Sequence, residues 1–194
     1  MSKTRGLTST LELAQWTIAN LPIRYFGDPI LRARCVAFES AEFGQPEMEQ
    51  LARQLTSTLD EYRAHTGMGR GLAANQIGSN RRMILLWLDE PLIMINPNPI
   101  ELHGQGSGWE SCISSGAMLI GQAILPWIGT FEYFSPDGSR KELVASPMQT
   151  RLALHEIDHL DGGICIERYQ TGTTRFITGG KAEVLGYELK QLNS

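Results

Sequence analysis

The chain has 194 residues, 42% of them hydrophobic and 20% charged, which describes one folded domain able to bury roughly 70% of its unfolded surface. Seventeen basic against twenty-one acidic residues leave a formal charge of −4, which excludes a general nucleic-acid binder built on clustered Lys and Arg. The longest apolar run, Met83 to Leu88, is too short for a membrane span, and Met1-Ser2-Lys3-Thr4-Arg5 lacks a secretory core, so a cytoplasmic protein is expected.

Residues 1–21 predict a short helical extension with Leu11, Ala14 and Ile18 on one face and Pro22 ending the pattern. Gly27-Asp28-Pro29 marks a turn. From Pro46 to His65 a second helix is predicted, with Met48, Leu51, Leu55, Leu59 and Tyr62 on one face and Gly67 as its stop. A glycine-rich loop, Gly67 to Gly71, comes next. Two strands follow, Met83 to Leu88 and Leu92 to Ile95, the second closed by Asn96-Pro97-Asn98-Pro99. His103 to Ser115 reads as loop, and Phe131 to Phe134 with Lys141 to Val144 reads as a hairpin around Ser135-Pro136-Asp137-Gly138. Strands followed by one strong late helix make an α+β chain. That helix starts at Ser146 as N-cap, with Pro147 first in the helix and Gln149 completing a capping box, and runs to about Asp161.

On this helix lies His155-Glu156-Ile157-Asp158-His159. Two histidines four apart share a face and can share one cation, while Glu156 stands beside a hydrolytic water that a metal ion activates. A catalytic site of this kind takes three protein ligands and keeps one open position. Two cysteines are candidates for the third. Cys165 stands where a third histidine falls in a longer zinc pattern, with Gly162 matching that pattern's glycine. Against it, Ile164-Cys165-Ile166 reads as a buried strand. Cys112 sits among polar residues in a loop, and both remain open on spacing alone. Gly69-Arg70-Gly71 loosely matches a dinucleotide fingerprint but follows a helix instead of a strand, so the glycines are read as letting the backbone pass close to a bound peptide.

Three motifs resemble those of the peptide deformylase family. Gly69-Arg70-Gly71-Leu72-Ala73-Ala74-Asn75-Gln76 is similar to its first, Glu110-Ser111-Cys112-Ile113-Ser114 to its second, and Leu154-His155-Glu156-Ile157-Asp158-His159 to its third. Gly27 to Arg32 and Ile95-Asn96-Pro97 fit as well, so the resemblance covers a catalytic unit at about residues 22–170, leaving 171–194 as a tail. It implies an α+β fold with antiparallel sheets packed around a central metal-binding helix. It further implies that Cys112, His155 and His159 hold one divalent metal, Fe²⁺ or Zn²⁺ with Ni²⁺ or Co²⁺ as variants. Glu156 becomes the general base and then acid, and Gln76 with the backbone N–H of Ile113 stabilises the oxyanion. The substrate side is expected to use Gly69, Arg70, Gly71, Leu72 and Glu110, with Met148, Arg151 and Leu152 on the helix. The implied activity is release of formate from formyl-methionyl polypeptides, a step of N-terminal processing in protein biosynthesis.

Several residues depart from the family pattern. Ser111 stands for a glycine, Leu154 for a glutamine, Arg70 for a hydrophobic residue, and the loop after Ser114 is rebuilt. Arg151, one turn before His155, stands where a hydrophobic pocket residue is usual. Two orientations are open for it: into the pocket to bind an acidic group, or out along the helix with its stem buried. The rival functions are therefore a deformylase or deacylase for another acylated substrate, an endopeptidase with Cys165 as third ligand, and a retired enzyme kept as a binding module. Arg175, Lys181 and Lys190 against Glu183 and Glu188 give the tail little steering toward ribosomal RNA.

Overall fold

The computed structural model describes residues 9–177 and 189–192. Helix α1 (Thr10–Asn20) starts with the reciprocal Ser9–Glu12 capping box. Its buried face carries Leu13, Ala14 and Thr17, while Leu11 and Ile18 are exposed, so the expected face is rotated. The reason is a long-range partner: Trp16 stacks on His65 at 3.9 Å between ring centroids, which fixes the helix on α2. Helix α2 (Pro46–Thr66) runs as expected, from Pro46 at its first position to Gly67 in the left-handed region at φ 65°.

Seven strands follow in order: β1 (Gly71–Ala73), β2 (Met83–Trp87), β3 (Pro91–His103), β4 (Gln105–Ser111), β5 (Leu119–Leu125), β6 (Ile128–Phe134) and β7 (Arg140–Ala145). Helix α3 (Pro147–Leu160) comes next, then the short strands β8 (Arg175–Phe176) and β9 (Lys190–Leu192). One sheet is ordered β1-β2-β3-β6-β7 and the other β8-β5-β4-β9, with every neighbouring pair antiparallel. The apolar run of β2 is explained by burial on both faces. Met83 and Leu85 pack with α1 and α2, whereas Ile84 and Leu86 pack with Ala153, Leu154, Ile157 and Leu160 of α3. The first sheet thus separates two cores, and α3 lies against it. This is the α+β arrangement of antiparallel sheets around the helix that carries the two histidines.

Three local expectations are corrected. Strand β3 does not stop at Asn96. It continues through the Asn-Pro run by two register shifts, and Asn96, at φ 50°, bonds both the N–H and the carbonyl of Phe38 with its side chain. The segment read as loop contains β4, whose inward positions include Gly106 and Gly108. A Cβ at Gly106 would overlap the Trp127 ring, and one at Gly108 would overlap Leu189 and approach Arg151 Nε at 3.0 Å. Glycine is therefore the face of this strand, and a hydrophobic alternation never forms. Ile164-Cys165-Ile166 is not a strand, because Cys165–Arg168 forms a single 3-10 turn.

Candidate metal centre

The centre is built from the end of β4, the turn after β1 and the middle of α3. Ser146 and Gln149 cap α3 reciprocally, with Pro147 in the first helical position. That start sets the helix phase, so His155 and His159 project together with ring centroids 5.1 Å apart. Cys112 leaves β4 so that its Sγ lies 3.2 Å from His159 Nε2. Ser111 causes no backbone difficulty, since it is the last residue of β4 and pairs with Ile120. Gln76, buried in the Ala74–Ile77 turn, accepts from the Ala73 N–H at 2.8 Å through Oε1. Its Nε2 donates to Ser114 Oγ at 3.0 Å and lies 3.4 Å from Cys112 Sγ. Asn75 donates its side-chain amide to the His159 carbonyl, locking the end of α3 onto the same turn.

Glu110 is buried at the end of β4, where Oε1 accepts from Arg151 Nη1 at 2.9 Å and Oε2 lies 3.9 Å from His155 Nδ1. Burial alone raises the Glu110 pKa, but His155 and Arg151 outweigh it and hold the carboxylate low. Burial likewise opposes a charged His155, yet the Glu110 contact and the charges of Glu156 and Cys165 push it up to about 10. Glu156 is buried and pushed up to about 7 by desolvation, with Cys165, Glu110 and Asp158 adding to the rise and His155 opposing it. Its Oε2 has no hydrogen-bond partner. A Cβ at Gly71 would overlap Glu156 Oε1, so the missing side chain at that position is what makes room for the carboxylate.

One ligand atom each from Cys112, His155 and Cys165 lies within 4.8 Å of the others, a group able to hold a metal ion. His159 adds a fourth donor through its contact with Cys112. Thiols and imidazoles together suit Zn²⁺ or Fe²⁺ better than Mg²⁺ or Ca²⁺. The surplus of buried acidic groups and the unpartnered Glu156 oxygen fit a cation here.

Residues 20–175 match the polypeptide deformylase family. The chain belongs to that family. A peptide deformylase of Dictyoglomus thermophilum is 32% identical over 147 residues, which span 75% of this chain and 90% of that protein. A peptide deformylase of Stenotrophomonas maltophilia is 30% identical over 154 residues, 77% and 87% of the two chains. A class I type b peptide deformylase from Acinetobacter baumannii superposes with a TM-score of 0.70 at 27% identity, covering 76% of this chain and 98% of the other. The chain is therefore a deformylase-family hydrolase, and the family is metal-dependent.

Not every residue expected at the deformylase substrate site faces one. Leu72 is fully buried in the core and paired with Leu85 of β2, so it offers its side chain to the core instead of to substrate. Gly69 leads to Gly71 beside the centre, with Gly69 at φ 92° and packed on Tyr62, and Arg70 is exposed. Met148 is exposed on the first turn of α3, and Leu152 packs partly against the core. Arg151 takes neither expected orientation. It is buried, and besides Glu110 it donates to the carbonyls of Ala123 at 2.6 Å and Gly106 at 3.4 Å. Arg151 and Glu110 thus satisfy each other instead of a ligand. Leu154 packs in the α3 core, where a glutamine would have to leave its amide unpaired or turn it elsewhere. Sequence reading missed Tyr169, whose hydroxyl donates to the Glu110 carbonyl at 2.9 Å and lies 3.2 Å from Cys165 Sγ. No motif marked it. Asn75 sat inside a quoted motif without being singled out. Among the described residues no helix is long and apolar enough to cross a membrane. Lys181, Glu183 and Glu188 of the tail lie outside the described residues.

Proposed function

We propose that this deformylase removes the N-formyl group of formyl-methionyl polypeptides and releases formate, with Cys112, His155 and His159 as ligands of one Fe²⁺ or Zn²⁺. The observation that carries the reading is Glu156, buried beside the two histidines on α3 with an unpartnered oxygen and an affinity for protons balanced near neutrality. Among four donors, the resemblance to the deformylase motifs is what leaves Cys165 off the metal, in keeping with a catalytic site that holds three protein ligands and one open position. Its sulfur is also within 3.2 Å of the Tyr169 hydroxyl. The ion, when bound, acidifies water and polarises the formyl carbonyl. Glu156 takes the proton of the attacking water and later delivers it to the leaving amine. Gln76 Nε2 and the N–H of Ile113 stand beside Cys112 as donors to the developing oxyanion, each able to supply about 3 kcal/mol. Glu110, held by Arg151, orients His155 through its Nδ1, leaving Nε2 for the ion.

The catalytic unit spans residues 22–170, with α1 as an added element. The reading in which Arg151 binds an acidic substrate group loses its cation, since that guanidinium is engaged by Glu110 and two carbonyls. The direct test is formate release from a formyl-methionyl tripeptide by protein purified without oxygen. Rapid release is expected, and none from fully metal-loaded protein would overturn the reading. Metal counting tests the ligand set. Cys112→Ser is expected to lose stoichiometric metal and Cys165→Ser to retain about one equivalent, the reverse pattern assigning Cys165 instead. Gly71→Ala is expected to leave the circular dichroism spectrum unchanged and to lower kcat/KM about 100-fold, because it displaces Glu156 by roughly 1 Å.

A further inference from the structure

Cys165 is a buried free thiol that the hydrolytic reading does not use. Its donor atom lies within 4.8 Å of those of Cys112 and His155. The two cysteines come from different elements. Cys112 follows β4, and Cys165 opens the short turn just after Gly162-Gly163 releases α3. Tyr169 ties that turn to β4, since its hydroxyl contacts Cys165 Sγ at 3.2 Å and donates to the Glu110 carbonyl at 2.9 Å. The sulfurs are therefore held as neighbours by the fold and not by sequence proximity. A disulfide brings its sulfurs to about 2 Å. Side-chain rotation with a small shift at the Cys165 end of the 3-10 turn can close the gap, while the Tyr169–Ala123 bridge holds its other end on β5.

We propose that Cys112 and Cys165 form a redox modification site, at which a hydroperoxide joins them in an intramolecular disulfide. The sulfur of Cys165 attacks one peroxide oxygen, the O–O bond breaks, and a sulfenic acid forms with loss of one water. The sulfur of Cys112 then attacks Sγ of Cys165, the S–S bond forms, and the hydroxyl leaves as the second water. Two thiols and one hydrogen peroxide thus give one disulfide and two waters. The cross-link withdraws Cys112 from the metal centre and is undone by a thiol reductant. That consequence rests on Cys112 being a ligand, whereas the disulfide itself does not. Cys35 packs in the α3 core with Ala73 and Leu160 and stands outside this group, so it serves as an internal control.

The experiment treats the full chain with hydrogen peroxide, once loaded with Zn²⁺ and once after chelation. It reads peptide masses without reduction, and zinc uptake before and after dithiothreitol. Chelated protein is expected to yield a Cys112–Cys165 linked peptide two hydrogens lighter, to lose zinc uptake, and to regain it on reduction. Zinc-loaded protein is expected to cross-link more slowly. Cys165→Ser is expected to take up zinc beforehand and, after peroxide, to lose uptake irreversibly as Cys112 proceeds to higher oxides. Cys35→Ser is expected to behave as the parent. Cys112 sulfinic acid without a linked peptide in the parent would overturn the proposal, as would equal recovery on reduction in Cys165→Ser. A linked peptide formed at the same rate with and without zinc supports the disulfide and counts against Cys112 as a ligand.

Discussion

Glu156→Ala is expected to lower formate release about 10²- to 10⁴-fold, the range contributed by a positioned acid–base group, while bound metal stays at the parent level. The reason is the location of this carboxylate. It is buried, one oxygen has no partner, and burial lifts its pKa to about 7, close to the pH at which it must both accept and return a proton. Glu156→Gln keeps the shape and the contact with Gly71 but cannot carry the proton, so it is expected to fall as far. Single-turnover kinetics on a formyl-methionyl tripeptide, with metal content measured on the same samples, checks this. A variant keeping more than about a tenth of parental kcat would move the proton transfer to another group.

The second large effect is structural. Arg151 and Glu110 are nearly sealed from solvent, with side-chain exposures of 9% and 4%. Arg151→Met removes the closer of the two cationic partners of Glu110, leaving that buried carboxylate with His155 at 3.9 Å and the Ala123 and Gly106 carbonyls without their donor. The expected cost is about 3–5 kcal/mol, which is roughly a 10 °C fall in Tm for a chain of this size. Restoring neutrality with Glu110→Gln in the same chain is expected to recover part of that loss, because the second change removes the stranded charge. Urea unfolding followed by circular dichroism gives both numbers. A loss below about 1 kcal/mol for Arg151→Met would put the pair in the class of solvent-screened surface bridges.

What could be read in the sequence was what local rules determine. The cap at Ser146, the proline after it and the histidine spacing lie within one helix, and α3 forms as those residues predict. Helix α2 was legible for the same reason, its proline, apolar face and terminal glycine all being local signals. Strand β4 was not, because its inward face is glycine and its partners Trp127, Arg151 and Leu189 are remote in sequence. The α1 face was misjudged because Trp16 finds His65 across the fold. Arg151 offered a choice between two orientations and took a third, since Glu110 lies 41 residues earlier. The histidine spacing could be read, and it already made Cys165 a candidate donor, but the approach of Cys165 to Cys112 and of Tyr169 to both Cys165 and Glu110 could not, as it depends on how the chain folds back after Gly162-Gly163.

The separation of the donors bears on how the molecule holds together. Cys112 and His159 are 47 residues apart, one emerging from the β4–β5 sheet and the other from the helix laid on the first sheet. An ion held by these two proposed ligands would act as a rivet between two layers, and because an unfolded chain cannot assemble that donor set, its binding free energy would add to the stability of the native state. Metal supply and conformational persistence are then one thermodynamic quantity, so a cell short of the ion would see this protein open more often as well as work more slowly.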